Sequence, residues 1–349
     1  MFKPIMNSKT NANTTMDTDD LIDSLVHALH DYVPSQAQYI ILLFIVPLAI
    51  LCNLFVLYHL LMDRNLRKEA HNHVIIAILF SSLEFNLIHA PFSINLFRTG
   101  SVWPRSIIAC SIWRFTAYLG CNANDVLLAW AAIERHILIY HSNMMRVRRN
   151  RIIFHYIPLG ILVIYLFGFN AACFLTPACF ANYNFNVVFC DATCLNSVPF
   201  LASWYLAVNQ LVAALLAIVF SLILWVRVIR QQKQMRRSHE WRRFYKLSMQ
   251  IIVITILFIV LETPYAITCT LAYTGHFGNS IVFDYSNSIS LFLCYIMPII
   301  MPFACFLGLY NELWPRLVKP FNRILRHEEA NRIKPMLAAN TMINGISVK

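Results

Sequence analysis

Seven stretches of this chain stay apolar for about the thickness of a lipid bilayer, with hardly a charge among them. A hydrocarbon core about 30 Å thick is crossed by about 20 helical residues rising 1.5 Å each. Tyr39 to Met62 holds no charged residue, His73 to Phe97 only Glu84, and Leu247 to Tyr273 only Glu262. Ile152 to Leu175, Phe200 to Val226 and Tyr285 to Tyr310 hold none. Cys110 to Tyr140 is the exception, carrying Arg114 and Asp125 and ending in Glu134 and Arg135. Backbone amides in lipid must be paired internally, which leaves helices or closed barrels, and these blocks are too long for barrel strands. The chain is 58% apolar and 13% charged, where soluble domains average about 45–50% and about 25%, so a water-soluble globule and a disordered chain are both excluded. The expected fold is an all-α membrane protein, a seven-transmembrane helix bundle over 38–310 with its amino terminus extracellular. An extracellular tail over 1–37 precedes the bundle, an interfacial amphipathic helix over 311–326 follows it, and 327–349 is expected to be a disordered cytoplasmic tail.

The orientation follows from positive charge. Of the 28 Lys and Arg, 22 lie in the first-to-second, third-to-fourth and fifth-to-sixth connections and in the C-terminal tail, and four lie in the N-terminal tail and the second-to-third connection. Lys and Arg are retained on the cytoplasmic side, which puts the amino terminus outside. The sequon Asn13-Thr14-Thr15 then falls where glycosylation takes place. No cleavable signal-peptide pattern opens the chain, so span one is expected to serve as the targeting signal. The net charge of +11 sits at loop ends beside apolar spans. Anionic lipids at the cytoplasmic face are the partners this distribution implies, and no nucleic acid is expected. Beyond Tyr310, apolar Leu313, Trp314, Leu317 and Phe321 mix with Arg316, Lys319 and Arg323 in the manner of a helix lying in the headgroups.

Of the cysteines, Cys52, Cys121, Cys173, Cys269, Cys294 and Cys305 fall inside spans and read as packing residues. Cys110, Cys179, Cys190 and Cys194 fall on the outer side, where four thiols allow three pairings. A bridge from Cys110 to the fourth-to-fifth connection would hold that loop over the mouth of the bundle. His71, His73, His136 and His141 lack the spacing of a metal-ligand set and read as interfacial side chains at inner loop edges. No Walker loop, nucleophile elbow or H-E-x-x-H occurs, and neither an enzyme nor a cofactor or metal is expected. Asp125 lies mid-span, where an ionised carboxylate facing lipid costs about 2.5–3.5 kcal/mol, so it is expected to face the bundle interior. Glu262 lies near the same depth, and at least one of the two is expected to be neutral. Hydrogen bonding to neighbouring helices is their plainer role, and proton-linked activation the sharper one.

Taken together, seven spans, an outer cysteine opening span three and Glu134-Arg135-His136 at its inner end resemble the rhodopsin-like, class A, family of G-protein-coupled receptors. Cys110 and Arg135 stand 25 residues apart, as when the family's cysteine and the arginine of its D/E-R-Y motif occupy opposite ends of one membrane-crossing helix. Asn53 matches the family's span-one asparagine, Phe258 and Pro264 fit F-x-x-C-W-x-P in span six, and Pro302 fits the proline of N-P-x-x-Y in span seven. The run WAAIERHILIYH, with FHYIPL soon after, is similar to invertebrate orphan members. Other positions depart from the pattern. Ser81 or Ser82, with Glu84 near by, replaces the span-two aspartate. Glu262 stands at the span-six tryptophan, Met301 and Cys305 replace the asparagine and tyrosine of span seven, and span five has no proline.

The resemblance implies a multi-pass plasma-membrane receptor that binds an extracellular ligand and activates a heterotrimeric G protein, with Glu134, Arg135, His136, Asn53, Phe258, Glu262, Pro264 and Pro302 as its coupling and switch residues. Ala117 replaces the aspartate by which amine receptors hold an ammonium, and Tyr295 replaces the lysine that binds retinal in opsins. The implied pocket holds Arg114, Ala117, Tyr118, Cys121, Tyr205, Glu262 and Tyr295, with Trp103 at its mouth. A peptide is favoured slightly over an acidic or apolar small molecule, because Tyr183 to Cys190 alternates as a hairpin lid would. Cys110 with Cys190 is the pairing carried forward, with Cys179 and Cys194 left for a second. A transporter or channel with midplane carboxylates is the alternative, set back by the odd number of spans and the lack of internal repeats.

Overall fold

The computed structural model describes residues 18–140, 147–175, 185–186, 190, 198–234, 239–273, 281–310, 312–316 and 318. Asn13, Cys179, Cys194, His141 and most of the interfacial segment and tail lie outside the described residues, as does the Tyr183 to Cys190 string apart from Phe185, Asn186 and Cys190. Among the described residues, six helices are apolar and long enough to cross a membrane: Gln36–Met62, Asn72–Thr99, Arg148–Phe174, Phe200–Arg227, Met249–Leu271 and Ile289–Gly308. They are spans one, two, four, five, six and seven. Span three, the helix Ile107–Tyr140, is as long, but Asn122, Asn124 and Asp125 interrupt its apolar run. It packs against spans two, four, five and six, so protein rather than lipid surrounds it.

Span one belongs to a helix that begins at Thr18, inside the stretch read from sequence as tail. Leu21, Ile22, Leu25, Val26 and Leu29 recur there at three- and four-residue spacing, and Asp19, Asp20 and Asp23 lie near the positive end of the helix dipole. Span two ends at Gly100, whose φ of 69° is open to glycine and whose amide reaches Leu96 O at 2.8 Å. Span seven continues the helix Ile281–Gly308 with Pro298 and Pro302 inside it, and span six holds Pro264 within His239–Tyr273. Past Gly308 the described chain is again helical, with Glu312 N donating to Leu309 O at 2.9 Å and Tyr310 stacked on Trp314.

Three spans contain a wider π turn: Phe85–His89 in span two, Ile152–Tyr156 in span four and Tyr205–Val212 in span five. In each, an amide closes on the carbonyl five residues back, as Ala90 N does on Phe85 O and Ile157 N on Ile152 O. The extra residue re-aims the side chains of that turn, a device concentrated at functional positions. His89, His155 and Asn209, all buried, are carried on these turns.

Spans one, two and seven are tied by a polar knot. Asn53 Nδ2 donates to Leu79 O at 3.1 Å and Ser82 Oγ at 3.2 Å, and Ser82 Oγ donates to Pro298 O at 2.6 Å. Of the two serines that stand for the missing span-two aspartate, Ser82 is the one in the knot. Spans two and three are tightly packed at Gly120, where an added Cβ would lie 2.5 Å from Phe85 Cδ2. The Phe85 ring cannot swing away, being fully buried and stacked on His89. Gly160 and Gly168 in span four have open space where a Cβ would go. Gly120→Ala is therefore expected to destabilise the purified protein by about 1–3 kcal/mol, whereas Gly160→Ala and Gly168→Ala should leave it unchanged or slightly more stable. Thermal midpoints of the three variants in one detergent check this.

Candidate functional site

The inner end of span three carries Glu134 and Arg135, both buried. Neighbouring residues on a helix point about 100° apart and do not face each other, so each must find its partner on another element. Glu134 finds His155, whose Nδ1 lies against its carboxylate in a contact enclosed on both sides. His155 Nε2 lies 3.0 Å from His73 Nδ1 on span two. Tyr156 flanks both imidazoles, with centroids 4.6 Å from His155 and 5.4 Å from His73. His73, read from sequence as an interfacial side chain, is half-buried and in contact with the enclosed His155. Arg135 is 3% exposed, and neither Nη1 nor Nη2 has a hydrogen-bond partner among the described residues. His136 turns away from this cluster and sets its ring edge-on to Phe220 of span five. Asn53, Phe258 and Pro302 are buried and Pro264 is partly so, each inside its own helix.

At mid-depth, Asp125 and Glu262 are both buried and close enough to interact electrostatically. Glu262 is hydrogen-bonded to Cys294 of span seven, whose Sγ lies 3.8 Å from Cys121 Sγ of span three. Tyr295, next to Cys294, packs edge-on to His89 with centroids 4.9 Å apart. Spans three, six and seven therefore meet through two carboxylic acids and two thiols, with a hydrogen bond between Thr268 and Ser290 joining six to seven at 3.1 Å.

Toward the outer side, spans three, four and five line a narrow cleft whose free volume is about 20 Å³, about one water molecule. Arg114, Phe115, Tyr118 and Asn122 line it from span three, Phe169, Asn170, Cys173 and Phe174 from span four, and Tyr205 from span five. Tyr118 meets Tyr205 edge-to-face at 5.7 Å, and Phe115 meets Phe174 the same way at 6.0 Å. The polar side of the cleft is fixed by Asn122 Nδ2 donating to Asn170 Oδ1 at 3.1 Å, while Asn170 Nδ2 donates to Leu166 O at 2.7 Å. Above, Cys110 and Cys190 are joined in a disulfide, the pairing carried forward from sequence. Val102 N also donates to Phe185 O at 2.8 Å, so backbone as well as sulfur ties that loop to the outer end of the bundle.

The expected pocket residues divide between these two places. Arg114, Tyr118 and Tyr205 line the cleft, while Cys121, Glu262 and Tyr295 belong to the deeper cluster and Ala117 is buried away from the cleft lining. Sequence reasoning missed the span-four wall, Phe169, Asn170, Cys173 and Phe174, and missed His155 altogether. The signal was present in the spacing. His155, Leu166 and Asn170 are the buried residues of span four, and steps of 11 and 4 residues return to one helix face. Two polar residues on one stripe of an otherwise apolar span mark the face turned inward.

The sequence pattern described as 7 transmembrane receptor (rhodopsin family) matches residues 52–304, well over half of the chain. A probable muscarinic acetylcholine receptor from Caenorhabditis elegans is 24% identical over 111 residues, 32% of this chain and 16% of the relative, so the match spans about a sixth of that protein's length. A crystal structure of squid rhodopsin superposes with a TM-score of 0.62 at 16% identity, covering 84% of this chain and 87% of that one, a likeness of fold. With this match over a seven-helix bundle, the chain belongs to the rhodopsin family of seven-transmembrane receptors.

Proposed function

We propose that the chain is a plasma-membrane receptor that couples an extracellular ligand to a heterotrimeric G protein, with Arg135 as the coupling residue. The observation that carries this reading is the burial of Arg135 at the inner end of span three with neither terminal guanidinium nitrogen hydrogen-bonded among the described residues. A guanidinium held this way is costly. The cost is recovered when the inner ends of spans five and six part and the arginine meets carbonyls of an inserted G-protein segment. Pro264 gives span six a break in its hydrogen-bond ladder where such bending concentrates. Ligand and G protein then favour the same packing of the bundle and reinforce each other's binding.

The outer cleft supports a ligand that offers an anionic group to Arg114 and a flat apolar group to Tyr118, Tyr205 and Phe174. We favour a peptide that inserts an acidic or carboxy-terminal residue, because Cys190 and Phe185 anchor the fourth-to-fifth connection at the outer end of the bundle through the Cys110 bridge and the Val102 bond. Acetylcholine, named in the nematode relative, is not carried over. Ala117 occupies the position seven residues after Cys110, and nothing ionic is offered there to a quaternary ammonium.

Replacing Arg135 by Ala is expected to leave surface expression intact and to abolish receptor-dependent nucleotide exchange on a purified heterotrimer. Exchange equal to wild type would overturn the coupling role. Arg114→Ala is expected to weaken the response to pools of acidic peptides by roughly tenfold or more, the loss of a charged hydrogen bond of about 1.5–3 kcal/mol. Dose–response curves in cells carrying a promiscuous G-protein reporter check this, with neutral amide-capped pools as the comparison.

A further inference from the structure

We infer that the ligand carries a hydroxyl on an aromatic ring, at the far end from its anionic group, as a carboxy-terminal tyrosine does, and that Asn122 selects for that hydroxyl. This deepens the reading of Arg114 given above and rests on it.

Arg114, Tyr118 and Asn122 follow one another at four-residue steps along span three, and all three line the cleft. Such steps keep to one face of a helix, so the wall presents a guanidinium, then a ring, then an amide, with about 12 Å of rise from first to last. Phe169 and Phe174 of span four and Tyr205 of span five complete the aromatic walls. A ligand group that reaches from Arg114 to Asn122 is therefore flat and apolar in its middle and polar at both ends.

The hydrogen bonds of span four decide which polar group suits Asn122. Leu166 O can only accept, so the amide of Asn170 turns its Nδ2 to it, at 2.7 Å. Asn170 Oδ1 is then the atom that faces span three, and Asn122 donates to it through Nδ2, at 3.1 Å. The oxygen of Asn122 is what remains. Asn122 is 0% exposed, and of the residues lining the cleft it alone keeps a buried polar side-chain atom without a hydrogen-bond partner among the described residues. A buried carbonyl oxygen left unpaired is unfavourable, and the group that satisfies it is a donor. The amide cannot turn over to offer a donor of its own, because that would set its oxygen against Asn170 Oδ1.

A donor at the end of a flat apolar group is a phenol. The free volume of about 20 Å³ takes a hydroxyl but not a ring. The ring therefore enters by parting the Tyr118–Tyr205 and Phe115–Phe174 pairs, whose contacts are replaced by contacts with the ligand's own ring. A phenylalanine fills the same space but leaves Asn122 Oδ1 covered and unpaired. Discrimination against an analogue that lacks a hydroxyl is strongest where its absence strands a buried polar group of the site. Asn122 is thus a specificity-determining residue, and Asn170 is the positioning residue that holds its amide.

The test uses the full-length receptor in nanodiscs, without G protein, and pools of short peptides matched except for a carboxy-terminal Tyr or Phe, each as free acid and as amide. Peptide retained by the receptor is measured by mass spectrometry. Wild type is expected to bind the free-acid Tyr pool roughly tenfold more tightly than the free-acid Phe pool. Asn122→Ala is expected to bind the two alike, and its retention of the Phe pool checks that it is folded. The comparison within wild type needs no variant. Equal binding of the two acids by wild type, or a Tyr preference undiminished in Asn122→Ala, overturns the inference and leaves the role of Arg114 standing. Binding indifferent to amidation overturns both. Free hydroxyphenylpropionic acid, run beside the pools, carries the same two groups, and its retention in place of the peptides assigns the same chemistry to a small molecule.

Discussion

Span three crosses the bilayer only because its neighbours keep lipid away from it. Arg114, Asn122, Asn124, Asp125, Glu134 and Arg135 all lie on this one helix, and each is at most 4% exposed. A single charge facing hydrocarbon costs a few kcal/mol, so the helix is a liability unless it is covered along its whole length. Much of the rest of the bundle follows from that requirement. Span four is mostly open to lipid, yet the polar residues on its buried stripe meet span three at the two levels where covering is needed, Asn170 at Asn122 and His155 at Glu134. Span five adds Tyr205 against Tyr118, and span six brings Glu262 to Asp125.

The same requirement locates the parts able to move. Contacts at the outer end are a disulfide, a backbone hydrogen bond and an aromatic pair, through Cys110–Cys190, Val102–Phe185 and Tyr118–Tyr205. Mid-depth contacts are hydrogen bonds among acids, thiols and hydroxyls, such as Glu262 to Cys294 and Thr268 to Ser290. Each such bond is worth about 0.5–1.5 kcal/mol net, small enough to exchange for another when the bundle repacks. Ser82 fits this pattern. A hydroxyl bonded to Asn53 and to the Pro298 carbonyl ties spans one, two and seven without the charge the family's aspartate would bring. The π turns of spans two, four and five set where His89, His155 and Asn209 point, and so place the bundle's less usual polar contacts.

The number of spans, their direction and the family were legible because they rest on long-range sums: apolar length, basic asymmetry and the 25-residue interval from Cys110 to Arg135. The start of the first helix at Thr18 was less so, since the charge-free run begins later and only weak three- and four-residue spacing extends the helix outward. The site was legible on span three and poorly legible on span four. Asn170 and His155 are single polar residues in apolar runs, and only their shared face tells that they turn inward. His73 could not be read at all without its partner, because a histidine at a loop edge looks the same whether it meets water or another imidazole. The expected pocket failed to stay in one piece for a related reason: Cys121 and Tyr118 are three residues apart, and a small rotation sends one toward Cys294 and the other toward Tyr205.

Threading is the claim on which all of this stands, and it is tested most directly by two short epitope tags on the same chain, one ahead of span one and one at the carboxy terminus. The account requires antibody to reach the first tag on intact cells and the second only once the membrane has been opened. Labelling of both tags on intact cells, or of neither, would mean an even number of crossings. Span three would then have to face lipid on a side where its charges have no cover.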